Sequence, residues 1–146
     1  MFDSETVKSQ DLILIFDTDR KCVAFLNIIP YCAPDECSYD MIRKTEDAPS
    51  GSVDLLIVKL VEYAKIKDLK YINMGMTPMA GMQEPSNAAE DVLQFVYQRV
   101  GSFKSYQTLR NFKEKYANTW ENKYLVYNSD FDLIQIPASL NKVMKP

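Results

Sequence analysis

The spacing of Val53, Leu56, Ile57, Leu60, Val61 and Ala64 constrains this chain more than any other feature, because it places apolar residues at i, i+3, i+4, i+7, i+8 and i+11. That period draws one stripe down a helix, so the spacing predicts a helix from about Ser52 to Lys67. Ser50 or Ser52 is placed to cap its first amides, and Asp54 in the first turn suits the positive end of the helix dipole. A helix with one apolar stripe needs a surface to bury it, and strand-like sequence lies on both sides. Upstream, Tyr39-Asp40-Met41-Ile42-Arg43 alternates as a half-exposed strand does. Downstream, Asp68-Leu69-Lys70 turns the chain into the short apolar run Tyr71-Ile72-Asn73-Met74. Strand, four-turn helix and strand make a β-α-β unit with a right-handed crossover.

The rest of the chain extends this unit. Leu12 to Phe16 and Cys22 to Ile29 are apolar runs separated by Asp17-Thr18-Asp19-Arg20-Lys21, which predicts a hairpin with a polar turn, and Pro30 ends its second strand. Gly75-Met76-Thr77-Pro78-Met79-Ala80-Gly81 is a loop. Helices are expected over Ala88 to Val100 and over Ser105 to Tyr116, the latter with Tyr106, Leu109, Phe112 and Tyr116 on one stripe. Tyr124 to Tyr127 reads as a strand, and Ile136 to Met144 as a short helix opened by Pro137. The expected class is α+β with a mixed sheet, one domain over residues 1–146, in which an antiparallel hairpin feeds the β-α-β core. A chain of 146 residues buries enough surface to fold without disulfide or metal.

Composition limits the chemistry. The chain holds no histidine, which removes His-based triads and His-ligated zinc, and leaves carboxylates, Lys, Tyr, Cys, substrate groups or water for proton transfer. Cys22, Cys32 and Cys37 are odd in number, and Cys32 and Cys37 form a CxxxxC pair with no second pair downstream to complete a zinc set. All are expected to be reduced thiols, so no metal is expected. No apolar run approaches the ~20 residues a membrane-spanning helix needs, and Met1-Phe2-Asp3-Ser4-Glu5 has no leader pattern, so the segment is expected to be soluble and unsecreted. Net charge is −3, yet residues 99 to 123 hold Arg99, Lys104, Arg110, Lys113, Lys115 and Lys123 against only Glu114 and Glu121. This segment is either a local anion-binding face or a solvated helix face with Arg110 and Glu114 paired at i, i+4.

Strand, small-residue turn, long helix, strand is the central element of GNAT-like acyltransferases, where the helix N-terminus receives a phosphate of the acyl carrier; free amides and a dipole favour an anion there. The turn Asp47-Ala48-Pro49-Ser50-Gly51-Ser52 has one glycine and no nearby base, which argues against coenzyme A and leaves no cofactor expected. Three further blocks are more specific: Ala24 to Pro30 followed by Tyr39 to Arg43, then Asp47 to Asp54, then Tyr71 to Gly81. Together with Leu109-Arg110-Asn111-Phe112-Lys113-Glu114-Lys115-Tyr116 and Trp120-Glu121-Asn122-Lys123-Tyr124-Leu125-Val126-Tyr127, they resemble the C-terminal domain of phosphatidylglycerol lysyltransferases, the multiple peptide resistance factor family. The resemblance runs from about Leu12 to Tyr127. It implies a GNAT-like fold and transfer of a lysyl or alanyl group from aminoacyl-tRNA to phosphatidylglycerol at the cytoplasmic face of the membrane. It also implies that this chain is the second of two GNAT-like repeats, the first lying upstream beside a membrane domain.

The same resemblance implies site residues. Arg110 and Lys113, three apart on one helix, are candidates to hold the 3′-terminal phosphates of tRNA or a lipid phosphate. Asp54 is a candidate to bind the α-amino group or orient the acceptor, its alternative being a helix-dipole partner. Arg43 adds to the anion site or points outward from its strand. Ser50, Gly51, Gly75 and Met76 belong to the turns expected to border the substrates, the glycines with a structural role as the alternative. Trp120 and Tyr124 stack on a terminal adenine or serve the core. Glu121 fixes Lys123 or a substrate amine. Gln107 stands where that family commonly has a carboxylate, and Lys123 where it has an arginine. Aminoacyl-tRNA is already an activated ester, so aligning the acceptor hydroxyl, removing its proton and stabilising the oxyanion suffice, with no covalent nucleophile. Two other readings follow from the same residues: a GNAT-like transferase with another donor or a soluble acceptor, and a non-catalytic binding half-domain.

Overall fold

The hairpin forms as its sequence dictates. In a computed structural model, β1 (Asp11–Phe16) and β2 (Cys22–Pro30) pair antiparallel from Asp11↔Ile28 to Phe16↔Cys22. Their turn is held by Asp17, whose carboxylate accepts the amides of Asp19 and Lys21 at 2.9 and 2.8 Å, while Arg20 takes the left-handed conformation at φ 61°. The structure describes residues 5, 8–30, 33–77, 91, 102–124, 126, 128, 129, 132, 135 and 139, with the side chains of 30 and 102–107 excepted. The chain divides into two compact units, Met1–Gly75 and Met76–Pro146.

In the first unit, β3 (Glu36–Lys44) adds antiparallel to β2 and starts three residues before the expected strand. Helix α1 (Ser52–Ile66) then returns the chain to β4 (Tyr71–Asn73), which pairs parallel with β3 from Glu36↔Tyr71 to Ser38↔Asn73. The sheet order is β1-β2-β3-β4, so the β-α-β unit expected from sequence is β3-α1-β4. Two contacts secure the short strand β4: the Ser38 hydroxyl donates to the Asn73 carbonyl at 2.9 Å, and the Asp35 carbonyl accepts the amides of Lys70 and Tyr71.

Helix α1 packs across all four strands and buries Leu56, Ile57, Leu60 and Ala64, with Leu56 and Leu60 wholly inaccessible. Val61, which the periodicity assigns to the stripe, is 38% exposed, because the stripe of a straight helix drifts off a flat contact at its edges. On the sheet, Val23, Ala24, Leu26, Ile28 and Cys37 complete the core. Asp11 receives the Tyr63 hydroxyl of α1 at 2.8 Å, so the alternation along β1 turns Ile13 and Ile15 toward the helix and Leu12, Leu14 and Phe16 to the opposite face.

Asn27 was not singled out by the sequence, and it organises the middle of the sheet. Between Leu26↔Ile42 and Ile28↔Tyr39, one residue of β2 faces two of β3, a bulge. The Met41 amide freed there donates to the Asn27 side-chain carbonyl, and the Asn27 amide donates to Gln10 at 2.8 Å. Asn27 is 1% exposed, so its amide group depends on these partners rather than on water.

In the second unit, α2 (Ser102–Glu114) begins three residues earlier than expected and ends two sooner. Phe112 and Tyr116 meet edge to face at 5.5 Å, as the predicted stripe requires. The strand expected at Tyr124 to Tyr127 is not formed at Tyr124 or Val126, which lie 83% and 90% exposed in irregular chain; Leu125 and Tyr127 lie outside the described residues. The helices expected at 88–100 and 136–144 lie outside the described residues, apart from helical Asp91 and Ser139.

Candidate functional site

Each unit presents its own group of the residues singled out above. In the first, the turn into α1 is built on Gly51, whose φ of 84° is open to glycine at low cost. No side chain caps α1, contrary to the expectation for Ser50 or Ser52. The Ser52 hydroxyl instead donates backward to the Pro49 carbonyl at 2.7 Å, as does the Ser52 amide at 3.2 Å, and the first helical bond runs from the Leu55 amide to the Gly51 carbonyl. Ser52 is thus consumed by the turn, while Ser50 is exposed and Asp54 half-buried in the first turn. A cation–carboxylate cluster borders the turn: the hydroxyl of Thr45 and the ammonium of Lys21, 3.1 Å away, hold the exposed Asp47 carboxyl down at about 2.

Arg43 is exposed near the end of β3 and donates to the Ile42 carbonyl at 2.9 Å, which leaves its charge facing solvent. Gly75 occupies a left-handed turn at φ 74°, and its amide donates to the Asn73 side chain at 2.8 Å, so its role is the structural alternative named for it.

The second unit brings Met76, Arg110, Lys113 and Trp120 together. Lys113 is 5% exposed and donates through Nζ to the Met76 carbonyl at 3.1 Å. Burial pushes its ammonium pKa down, because the charged form loses hydration. One turn earlier on α2, Arg110 pairs through Nε with Glu114 at 2.7 Å and lies over the Trp120 ring at 5.5 Å. The i, i+4 pairing expected for a solvated face is therefore made, yet the arginine is also drawn onto an aromatic. Gln107 falls within α2. Glu121 and Lys123 form an exposed pair at 3.3 Å, and Trp120 and Tyr124 are both exposed, so neither takes the core role named as the alternative to stacking on an adenine.

Among the described residues no group of His, Cys, Asp and Glu is disposed to hold a metal, and no helix is long and apolar enough to cross a membrane. Cys22 is an exposed free thiol; Cys37 is buried, and burial raises its pKa. Cys32 lies outside the described residues.

Comparison with known proteins identifies the family. A family model described as "Phosphatidylglycerol lysyltransferase, C-terminal" matches residues 1–127. The phosphatidylglycerol lysyltransferase of Bacillus subtilis is 32% identical over 134 residues, covering 90% of this chain and 16% of that protein. The enzyme of the same name from Staphylococcus haemolyticus is 30% identical over 146 residues, 99% of this chain and 17% of its own length. The chain thus spans about one-sixth of these relatives. Among solved structures, L-PGS from Bacillus licheniformis superposes with a TM-score of 0.76 at 27% identity, over 97% of this chain and 45% of that one. A C-terminal domain (DUF2156) from Agrobacterium fabrum gives the same TM-score at 25% identity, over 97% and 42%. The α+β fold is accordingly GNAT-like, as expected.

Proposed function

Because this chain belongs to the family of phosphatidylglycerol lysyltransferase C-terminal domains, we propose that it is the C-terminal catalytic half of an aminoacyltransferase, moving a lysyl or alanyl group from aminoacyl-tRNA to a hydroxyl of phosphatidylglycerol. The family match over residues 1–127 is the observation that carries this reading. It is supported by α2, which sets Arg110 beside an aromatic ring and the buried Lys113. In this scheme the reaction proceeds at the inner face of the membrane, within a larger protein that supplies the first repeat and the membrane domain.

The acceptor oxygen attacks the ester carbonyl, its proton leaves, and the tRNA 3′-terminal ribose oxygen departs and takes up a proton. The ester is already activated, so the protein's task is alignment and charge stabilisation. Arg110 meets a phosphate with its two Nη groups while Glu114 fixes the guanidinium through Nε. Lys113 acts differently from the phosphate ligand expected of it: its Nζ holds the backbone at Met76. Asp54, in the first turn of α1, binds the α-amino group of the donor, with Ser50 and Gly51 at the helix entrance and Arg43 as a further cation. Gln107, Glu121, Trp120 and Tyr124 border the donor's nucleotide end.

The test is a transfer assay on the full-length protein with radiolabelled lysyl-tRNA and alanyl-tRNA and vesicles containing phosphatidylglycerol. Aminoacylated phosphatidylglycerol is the expected product. Its absence with every charged tRNA would sink the proposal.

A further inference from the structure

We propose that Trp120 is a positioning residue for the transfer: through Arg110, whose guanidinium it holds in one plane, it sets a subsite for a single phosphodiester, that of the acceptor lipid. The chemistry of the ligand rests on the reading above; the role of Trp120 and the limit to one phosphate go beyond it.

The guanidinium is fixed from two sides. Its Nε donates to Glu114 at 2.7 Å, one turn on along α2, and its central carbon lies over the Trp120 ring, 5.5 Å from the centroid. The chain leaves α2 through the Lys113 carbonyl, which accepts the amides of Tyr116 and Ala117 at 3.0 and 2.8 Å, and Trp120 comes back to the side of Arg110. Trp120 is 46% exposed, so burial does little to hold it, and stacking orients ring and guanidinium together. An arginine free to rotate must be ordered when it meets an anion, whereas one held at Nε and on a face is ordered beforehand. What remains for a ligand is the edge made by the two Nη groups, whose parallel N–H bonds match two oxygens of one phosphate. Arg110 keeps 32% of its side chain open to that approach.

The neighbouring cations set the limit of one. Among the described residues that follow Arg110, Lys113 is buried on the Met76 carbonyl, Lys115 lies over the Phe112 ring at 5.9 Å, and Lys123 pairs with Glu121 at 3.3 Å. Glu114 offsets the formal charge of Arg110, so this site selects an anion by its geometry more than by its field. A run of phosphates, as an RNA end presents, calls for several cations in a row. A lone phosphodiester, as phosphatidylglycerol carries, calls for one bidentate donor. The lipid phosphate is therefore the occupant.

Trp120 is the sole tryptophan of the 146-residue chain, so its fluorescence reports on this subsite alone. Titration with dihexanoyl-phosphatidylglycerol, kept monomeric, should shift that emission saturably, while dihexanoylglycerol, which lacks the phosphate, should leave it unmoved. Arg110→Ala should abolish the shift. In the full-length protein, Trp120→Ala should raise KM for phosphatidylglycerol roughly 2- to 5-fold with kcat unchanged, and Trp120→Phe should restore most of it. Added to Arg110→Ala, the same change should have no further effect. Trp120→Leu, which keeps bulk and loses the π face, takes its place if Trp120→Ala fails to fold. An emission unmoved by the lipid overturns the proposal. So does a loss at Trp120 that persists in full without Arg110, the mark of packing, or a rise in KM for charged tRNA in place of the lipid, which gives the phosphate to the donor. If the unaltered protein makes no aminoacylated lipid, the transfer reading fails, and the emission titration still decides whether the phosphate subsite exists.

Discussion

At the scale of single residues, Asn27 shows how one polar group fixes a local irregularity. Its carbonyl accepts the bulge amide of Met41 and its amide donates to Gln10, with Asn27 itself 1% exposed. Asn27→Leu leaves that amide unpaired, and urea unfolding should report a loss of roughly 2 to 3 kcal/mol; Gln10→Ala, which spares the bulge, should cost under about 1. Lys113 makes a prediction of a different kind. Burial lowers its pKa below 10.5 in the folded chain, so the unfolded chain holds more protons between the two values. Stability therefore rises with pH through that alkaline window, and is reduced below it by the cost of burying the ammonium. Lys113→Met should remove the rise, which a series of unfolding curves from neutral to alkaline pH will show. Asp47 runs the opposite way: its carboxyl sits at about 2 against 3.8, so whatever its ionised form contributes is present above 3.8 and lost as pH falls toward 2.

At the scale of elements, much was legible in the sequence because it was local. The hairpin, α1 and β4 follow from runs, turns and a 3.6-residue period, and appear within a few residues of their expected bounds. The cap of α1 did not follow, since Ser50 and Ser52 are equally good cap residues and only the backbone decides. With Gly51 left-handed at φ 84°, Ser52 is already the first helical residue and its hydroxyl turns back to Pro49. Gly51→Ala meets no neighbouring atom, so its cost is conformational alone: about 1 kcal/mol by denaturant titration, against near zero for Ser50→Ala. The candidate site was legible in part. Arg110 and Lys113 share a helix from their spacing, but spacing carries no measure of burial, and Lys113 is spent on the Met76 carbonyl rather than left for an anion. Asn27 was legible only as a lone amide within an apolar run, a signal that gains meaning once the bulge is known.

At the scale of the whole molecule, family membership and the transfer chemistry proposed from it converge on Arg110. Truncation to alanine in the full-length protein should lower kcat/KM for phosphatidylglycerol roughly 10- to 100-fold, the worth of a charge-assisted bond. Arg110→Lys should recover only part of it, because an ammonium meets a phosphate at one point where a guanidinium meets it at two. A loss confined to melting temperature, with turnover per folded molecule unchanged, would assign Arg110 to the packing of Trp120 and Glu114 instead. The GNAT-like fold by itself does not decide this, since one scaffold hosts many chemistries.

The parallel seam between β3 and β4 has a consequence for how the first unit assembles. Its partners, such as Ser38 and Asn73, lie 35 residues apart along the chain, whereas β1, β2 and β3 meet through neighbouring turns. The entropy of closing so long a loop is met only after α1 has formed and laid its stripe on the hairpin. The topology thus predicts an order of events: the three-stranded meander and the helix first, with the three residues of β4 expected to dock last and let go first.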